Sequence, residues 1–150
     1  MKIKALLLFI PMLPLIFLMN AYSFNSAIED VVLPHLPRIS VEELKEMIDE
    51  GADLVTVDTR DGGSYSAGHI KGAINIQYDP TSDPMARQMM LIALPMDKLI
   101  VTYCDCTDDA NSAQMAEELY QLGYDRDKIK VLSGGSLRWV ELKYPLEKTE

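Results

Sequence analysis

Residues 98–123 have the sequence KLIVTYCDCTDDANSAQMAEELYQLG, which contains a strand pattern, a polar loop and a helix pattern in succession. The apolar, β-branched run Lys98–Tyr103 predicts a buried strand. After the loop, apolar residues recur at helical spacing, at Met115, Ala116, Leu119 and Leu122. This periodicity predicts a helix over Ala110–Leu122, which Gly123 ends. A strand that leads through a loop into a helix is the basic unit of an α/β fold.

The same alternation continues on both sides of this unit. Short apolar runs predict three further strands, at Asp53–Asp58, Ala73–Ile76 and Lys128–Leu132. Helical spacing predicts helices over residues 41–48, 85–94 and about 137–140, the first of them after a capping box formed by Ser40 and Glu43. The chain is therefore expected to be an α/β domain with a mostly parallel central sheet flanked by helices. Sites in such folds lie at the carboxyl ends of the strands.

Composition excludes several classes of function. With 150 residues, 48% of them hydrophobic and 25% charged, the chain is expected to form one globular domain rather than a disordered segment. Its formal net charge of −9 argues against nucleic acid as a partner. Two cysteines are too few for a disulfide framework or a four-cysteine metal site, and two thiolates without a placed histidine form an incomplete soft-metal site. We therefore expect no metal and no cofactor.

The first residues have the pattern of an export signal. Two lysines precede an unbroken apolar run of fifteen residues, Ala5–Met19, and small residues suggest cleavage after Ser23. The protein is then exported, periplasmic or secreted; the alternative is an uncleaved anchor over residues 5–22, which tethers the domain to the membrane. The predicted organisation is a signal peptide, a linker or arm, a folded domain and a tail, at residues 1–23, 24–38, 39–146 and 147–150.

Three segments of the folded region resemble the rhodanese family. They are VDTRDGGSYSAGHIKGAINI at 57–76, LIVTYC at 99–104 and VLSGGSLRW at 131–139. Rhodanese-like domains are three-layer α/β domains that move sulfane sulfur on a cysteine persulfide. The resemblance implies a sulfurtransferase, similar to thiosulfate sulfurtransferase, with a small sulfur compound or a protein persulfide as donor and a thiol as acceptor.

The first and third segments are expected to support the site rather than to react. Asp58 and Arg60 follow a strand and can tie loops together by charge-assisted hydrogen bonds. His69 lies in a tight turn, where its ring can bridge backbone groups. The Gly134–Gly135 pair allows a close turn after the last strand, and Trp139 has the spacing of a core residue.

The cysteine loop departs from the family pattern, which has a glycine three residues after the nucleophile, a basic residue five after it and a serine six after it. Counted from Cys104, these places hold Thr107, Asp109 and Ala110, and the serine comes two residues late at Ser112. Counted from Cys106, they hold Asp109, Asn111 and Ser112. We prefer Cys104 as the nucleophile, because it ends the strand. Cys106 is then a resolving thiol, or the alternative first nucleophile.

The loop is also acidic, through Asp105, Asp108 and Asp109. Carboxylates beside a thiol raise its pKa and repel an anionic donor such as thiosulfate, which favours a neutral or protein-borne persulfide as donor. One of Asp108 and Asp109 is expected to cap the following helix.

Two other functions remain open at this point. The two cysteines can cycle between dithiol and disulfide as an exported redox protein, or the domain can be a non-catalytic module that binds a partner through the loop face. A bridge within a Cys-x-Cys pair closes a very small ring and is readily reduced. We therefore expect no lasting structural disulfide.

Overall fold

The computed structural model describes residues 33–149, and within them five strands form one sheet. In chain order the strands are β1 (Arg38–Ile39), β2 (Leu54–Asp58), β3 (Ile74–Asn75), β4 (Leu99–Tyr103) and β5 (Ile129–Leu132). Across the sheet the order is β1-β5-β4-β2-β3, and every pairing is parallel. The central strands β2 and β4 pair from Leu54 with Leu99 to Asp58 with Tyr103, so both end at the same edge.

In the described part of the chain, four helices connect successive strands as crossovers, and a fifth follows β5. They are α1 (Val41–Asp49), α2 (Gly62–Ala67), α3 (Pro84–Ile92), α4 (Ala110–Gln121) and α5 (Gly135–Glu141), with a 3₁₀ turn at Arg126–Lys128. The Ser40 hydroxyl accepts a hydrogen bond from the Glu43 N–H at the start of α1, as the capping box predicts. Asp83 caps α3 in the same way, with Pro84 as the first helical residue.

Apolar side chains cover both faces of the sheet, which gives the fold its three layers. On one face, buried residues of α3 and α4 pack on the strands, among them Leu91, Met115 and Leu119. On the other face the cluster includes Leu44 of α1 and Trp139 of α5. Strand β4 contributes to both, because Ile100 belongs to the first cluster and its neighbour Val101 to the second. The α/β class with a mostly parallel, helix-flanked sheet is confirmed.

Two elements differ from the sequence-based expectation. Arg38, assigned to the end of the arm, forms β1 with Ile39 and pairs with Val131 of β5. Helix α2 was not predicted, because glycine and serine are poor helix formers. It forms because the Asp61 carboxylate accepts hydrogen bonds from the first backbone N–H groups of the helix. Elsewhere the predicted bounds are shifted by one or two residues.

The predicted signal peptide or anchor and most of the predicted arm lie outside the described residues. Within residues 33–149, no helix combines the length and the apolar character needed to cross a bilayer.

Candidate active site

The end of β4 is held in place from both sides. The carbonyl of Tyr103 accepts two hydrogen bonds from Thr59, one from its N–H at 2.9 Å and one from its hydroxyl at 3.0 Å. The next carbonyl, that of Cys104, accepts a hydrogen bond from the N–H of Ser136 at 2.8 Å. The backbone of Cys104 is therefore fixed by the loop after β2 and by the first turn of α5.

The turn after β5 approaches Cys104 more closely than any side chain allows. Gly135 has a φ of +48°, and a Cβ added to it would lie 2.0 Å from the carbonyl oxygen of Cys104. Gly134 before it has a φ of +75°. Both residues thus adopt the left-handed conformation that favours glycine, and at Gly135 the absence of a side chain is also a packing requirement.

A buried carboxylate joins three segments at this edge of the sheet. Asp58 has no exposed surface and accepts hydrogen bonds from the Arg60 guanidinium, the shorter one at 2.6 Å. Arg60 also donates to the carbonyl of Gly68 at 2.7 Å. The hydroxyl of Tyr103 donates to Asp58 at 2.7 Å and accepts from the N–H of Ile70 at 3.1 Å. Burial and the adjacent Asp58 carboxylate raise the pKa of Tyr103, so its phenol stays protonated and remains a donor.

His69 lies in the turn after α2 and takes part in its hydrogen bonds. Its Nδ1 is 2.9 Å from the carbonyl of Tyr65, and its ring stacks on the Tyr65 ring with the centroids 3.9 Å apart. Its backbone pairs with that of Glu147, so the predicted tail begins with a residue attached to this turn. None of these contacts involves the cysteine loop, so His69 serves the turn.

A disulfide joins Cys104 and Cys106, whose Cα atoms are 5.6 Å apart. Cys104 is 1% exposed, whereas Cys106 is only partly buried. The N–H of Cys106 points to Cys104 Sγ at 3.4 Å, and the Ser112 hydroxyl lies 3.5 Å from the same sulfur. A lasting bridge between these cysteines is not expected from the sequence. The bond forms because the loop bends back on itself directly after β4.

The far end of the loop is fixed by Asp109. This residue has a φ of +56° and is 6% exposed, and its carboxylate accepts a hydrogen bond from the N–H of Gly134 at 3.1 Å. Asp109 occupies the N-cap position of α4, but the capping hydrogen bond comes from Asp108, whose carboxylate accepts from the N–H of Ala110 at 3.2 Å. Asp109 is three residues after Cys106, which is the spacing at which the family has a glycine after its nucleophile. Its left-handed backbone is the conformation that favours glycine.

Ser112 connects the loop to the strand. Its hydroxyl donates to the carbonyl of Asp109 at 2.9 Å, and its carbonyl accepts from the Thr102 hydroxyl at 2.8 Å. Of the other loop residues, Asp105, Thr107 and Asp108 are exposed, and Ala110 and Asn111 are partly buried. The loop is therefore anchored at both ends, with its exposed, acidic part between them.

An open cavity of about 250 Å³ lies beside the loop, lined by Thr107, Gly134, Leu137, Arg138 and Glu141. Arg138 is the cation of this cavity and was not singled out from the sequence. It is paired with Glu141 at 2.8 Å and with Glu42 at 3.3 Å, and both glutamates raise the pKa of Arg138. Arg138 lies four residues after Gly134, on the helix that starts at the Gly-Gly turn. This position in the sequence could have identified Arg138 as a candidate site residue. Across residues 33–149, no group of three or more histidine, cysteine or acidic residues is arranged to hold a metal.

Comparisons with known proteins agree with this architecture. The model of the rhodanese-like domain family matches residues 40–142. The thiosulfate sulfurtransferase GlpE of Shewanella oneidensis is 30% identical over 103 residues, which are 69% of this chain and 91% of that protein. Among solved structures, the BH2092 protein of Bacillus halodurans superposes with a TM-score of 0.64 at 26% identity, over 75% of this chain and 77% of that one. A rhodanese-related protein of Thermoplasma volcanium gives 0.59 at 26% identity, over 75% and 99% of the two chains.

The match of the family model covers most of the described residues and includes the whole cysteine loop. The chain therefore belongs to the rhodanese-like domain family.

We predict that Gly135→Ala destabilises the protein by roughly 3 kcal/mol or more, because the new methyl group meets the Cys104 backbone rather than a movable side chain. Gly72→Ala is the matched control, since Gly72 has a φ of +72° but open space around its Cβ position. That change should cost only about 1–2 kcal/mol of backbone strain. Urea unfolding of both variants checks this. Equal losses of stability in the two variants would show that the positive φ alone requires glycine at position 135, and that the close approach to Cys104 does not.

We also predict that Asp58→Asn lowers the free energy of unfolding by about 3–5 kcal/mol, since it leaves the Arg60 guanidinium without its buried counter-charge. The control is Asp53→Asn, which breaks the surface pair between Asp53 and Lys98 at 2.6 Å. An exposed pair contributes little, so this variant should unfold close to the wild type. Urea unfolding at neutral pH compares the two, and a similar effect at both positions contradicts the role assigned to Asp58.

Proposed function

We propose that the protein is an exported sulfurtransferase that carries sulfane sulfur as a persulfide on Cys104. The observation that carries the proposal is the placement of Cys104 at the carboxyl edge of the sheet, directly after β4, with its backbone fixed by Thr59 and Ser136. Membership of the rhodanese-like family and the thiosulfate sulfurtransferase relative support the same chemistry. Export rests on the residue pattern of the leader, and a retained anchor over residues 5–22 is its alternative.

The proposed reaction has two half-reactions. The Cys104 thiolate attacks the sulfane sulfur of a donor; the bond between that sulfur and the rest of the donor breaks, and a persulfide forms on Cys104. A thiol acceptor then removes the outer sulfur and leaves the Cys104 thiolate. The N–H of Cys106 is directed at this sulfur from 3.4 Å and can stabilise its anionic form, whereas the nearby Ser112 hydroxyl already donates to the Asp109 carbonyl. This cycle needs no cofactor.

Charge around the loop bears on the choice of donor. Asp105 is exposed between the two cysteines, and within residues 33–149 its side chain makes no hydrogen bond or ion pair, so its negative charge faces solvent beside the proposed nucleophile. Arg138 on the cavity wall is already paired with two glutamates. The basic residue that lines the cavity beside the loop is thus already paired with carboxylates, which favours a neutral or protein-borne persulfide over thiosulfate.

The bridge between Cys104 and Cys106 favours a second candidate function, that of a dithiol/disulfide redox protein. In this case the cysteines exchange two electrons with a partner and carry no sulfur. The two functions predict different masses for the same protein, so one experiment compares them.

Our prediction for the sulfurtransferase is that reduced Cys106→Ser gains one sulfur after exposure to a sulfane-sulfur donor. Because Cys104 is the proposed carrier, reduced Cys104→Ser should gain none. Intact mass with peptide mapping measures the gain of sulfur, and the melting temperature of each variant verifies its folding. Loss of two hydrogens in the wild type, with no sulfur retained by any variant, instead supports the redox function.

A second prediction concerns the donor. Asp105→Asn should raise kcat/KM for thiosulfate by about two- to five-fold at low salt and leave that for a neutral persulfide donor unchanged, since it removes a charge that repels anions. Asp97→Asn, at an exposed position outside the loop, is the control and should change neither value. Added salt should reduce the difference in kcat/KM for thiosulfate between Asp105→Asn and the wild type. If Asp105→Asn leaves kcat/KM for thiosulfate unchanged, the charge of Asp105 does not select the donor.

A further inference from the structure

The two sulfurs can bond to each other while the loop stays in place. The Cα atoms of Cys104 and Cys106 are 5.6 Å apart, within the usual range for a disulfide of about 4.4–6.8 Å. Both ends of the loop are fixed, the first through the carbonyl of Cys104 and the second through the carboxylate of Asp109. The bridge is therefore compatible with both anchors of the loop.

This geometry places a nucleophile next to any persulfide on Cys104. A Cys106 thiolate lies within bonding reach of Cys104 Sγ, the inner sulfur of that persulfide. An acceptor from solution must instead reach a residue that is 1% exposed, next to a loop whose exposed residues include Asp105 and Asp108. Attack from within the loop is intramolecular, so it has the advantage of high effective concentration.

On this basis, and resting on the proposed persulfide on Cys104, we infer that the protein reduces sulfane sulfur to hydrogen sulfide. The Cys106 thiolate attacks Cys104 Sγ; a bond forms between the two Sγ atoms, and the bond from Cys104 Sγ to the outer sulfur breaks. Hydrosulfide leaves with that electron pair and takes up the proton that the Cys106 thiol gave up. Two electrons thus pass from the cysteine pair to the sulfane sulfur.

The product state of this step is the bridged loop of the structure, and it must be reduced before the next turnover. Cys106 is the more exposed of the two sulfur residues, so a reducing dithiol attacks Cys106 Sγ and Cys104 leaves as the thiolate. The second thiol of the reductant then closes its own disulfide and releases Cys106. Because the more exposed sulfur is attacked first, the buried Cys104 is released as the thiolate that accepts the next sulfur. The co-substrate of the reaction is therefore a dithiol.

The test is a single turnover under anaerobic conditions. Reduced, desalted protein receives one equivalent of glutathione persulfide; sulfide is trapped with monobromobimane, and intact mass is measured. We expect the wild type to release about one sulfide per chain, above the amount seen with the Cys104→Ser/Cys106→Ser double variant, and to lose two hydrogens. Cys106→Ser should keep the added sulfur and release sulfide only after a thiol is added. Cys106→Ala serves as a second variant without a hydroxyl.

The outcomes separate this inference from the proposed function. If Cys106→Ser and the wild type both retain the sulfur, Cys104 is a carrier and the internal release of sulfide is overturned. If no variant retains sulfur, the persulfide proposal itself fails. If the wild type closes its disulfide without releasing sulfide, the cysteines are a simple redox pair and the inference is again overturned.

Discussion

The geometry of the site depends on the contact between the turn after β5 and the end of β4. Gly135 lies so close to the carbonyl of Cys104 that no Cβ fits between them, and the N–H of Ser136 binds that carbonyl. The same turn binds the other end of the loop, since the N–H of Gly134 donates to Asp109. One turn thus fixes both ends of the cysteine loop, and the position of Cys104 is a consequence of packing between β4 and β5.

On the opposite side, the buried carboxylate of Asp58 gives the loop after β2 its shape. A fully buried charge is stable only when it is paired and hydrogen-bonded, and here Arg60 and Tyr103 supply both conditions. Because Arg60 also holds the carbonyl of Gly68 and Tyr103 holds the N–H of Ile70, the tight turn around His69 is attached to the end of β4. The charged pair and the Gly-Gly turn therefore support the edge of the site from its two sides.

Much of this arrangement could be predicted from the sequence, since it follows from local patterns. Apolar periodicity located the central strands and α1, α3 and α4, and the spacing of Gly134 and Gly135 indicated a close turn. Other features depend on contacts distant in sequence. Strand β1 is two residues long and exists only because Arg38 and Ile39 pair with β5, and α2 overcomes poor helix propensity through the Asp61 cap. The position of Arg138 on the helix after the Gly-Gly turn could be seen in the sequence, but only the fold brings it to a cavity beside Thr107.

The acidic loop illustrates how the fold assigns different roles to residues of one type. Asp109 is buried and accepts from the Gly134 N–H, and Asp108 caps α4. Among the described residues, the exposed side chain of Asp105 makes no hydrogen bond or ion pair. Two carboxylates thus hold the loop, and their negative charge accompanies that structural role. A loop held by carboxylates is poorly suited to anionic donors. For the persulfide that we propose on Cys104, a second thiol within bonding reach offers a route to release the outer sulfur that does not require an acceptor to enter the loop.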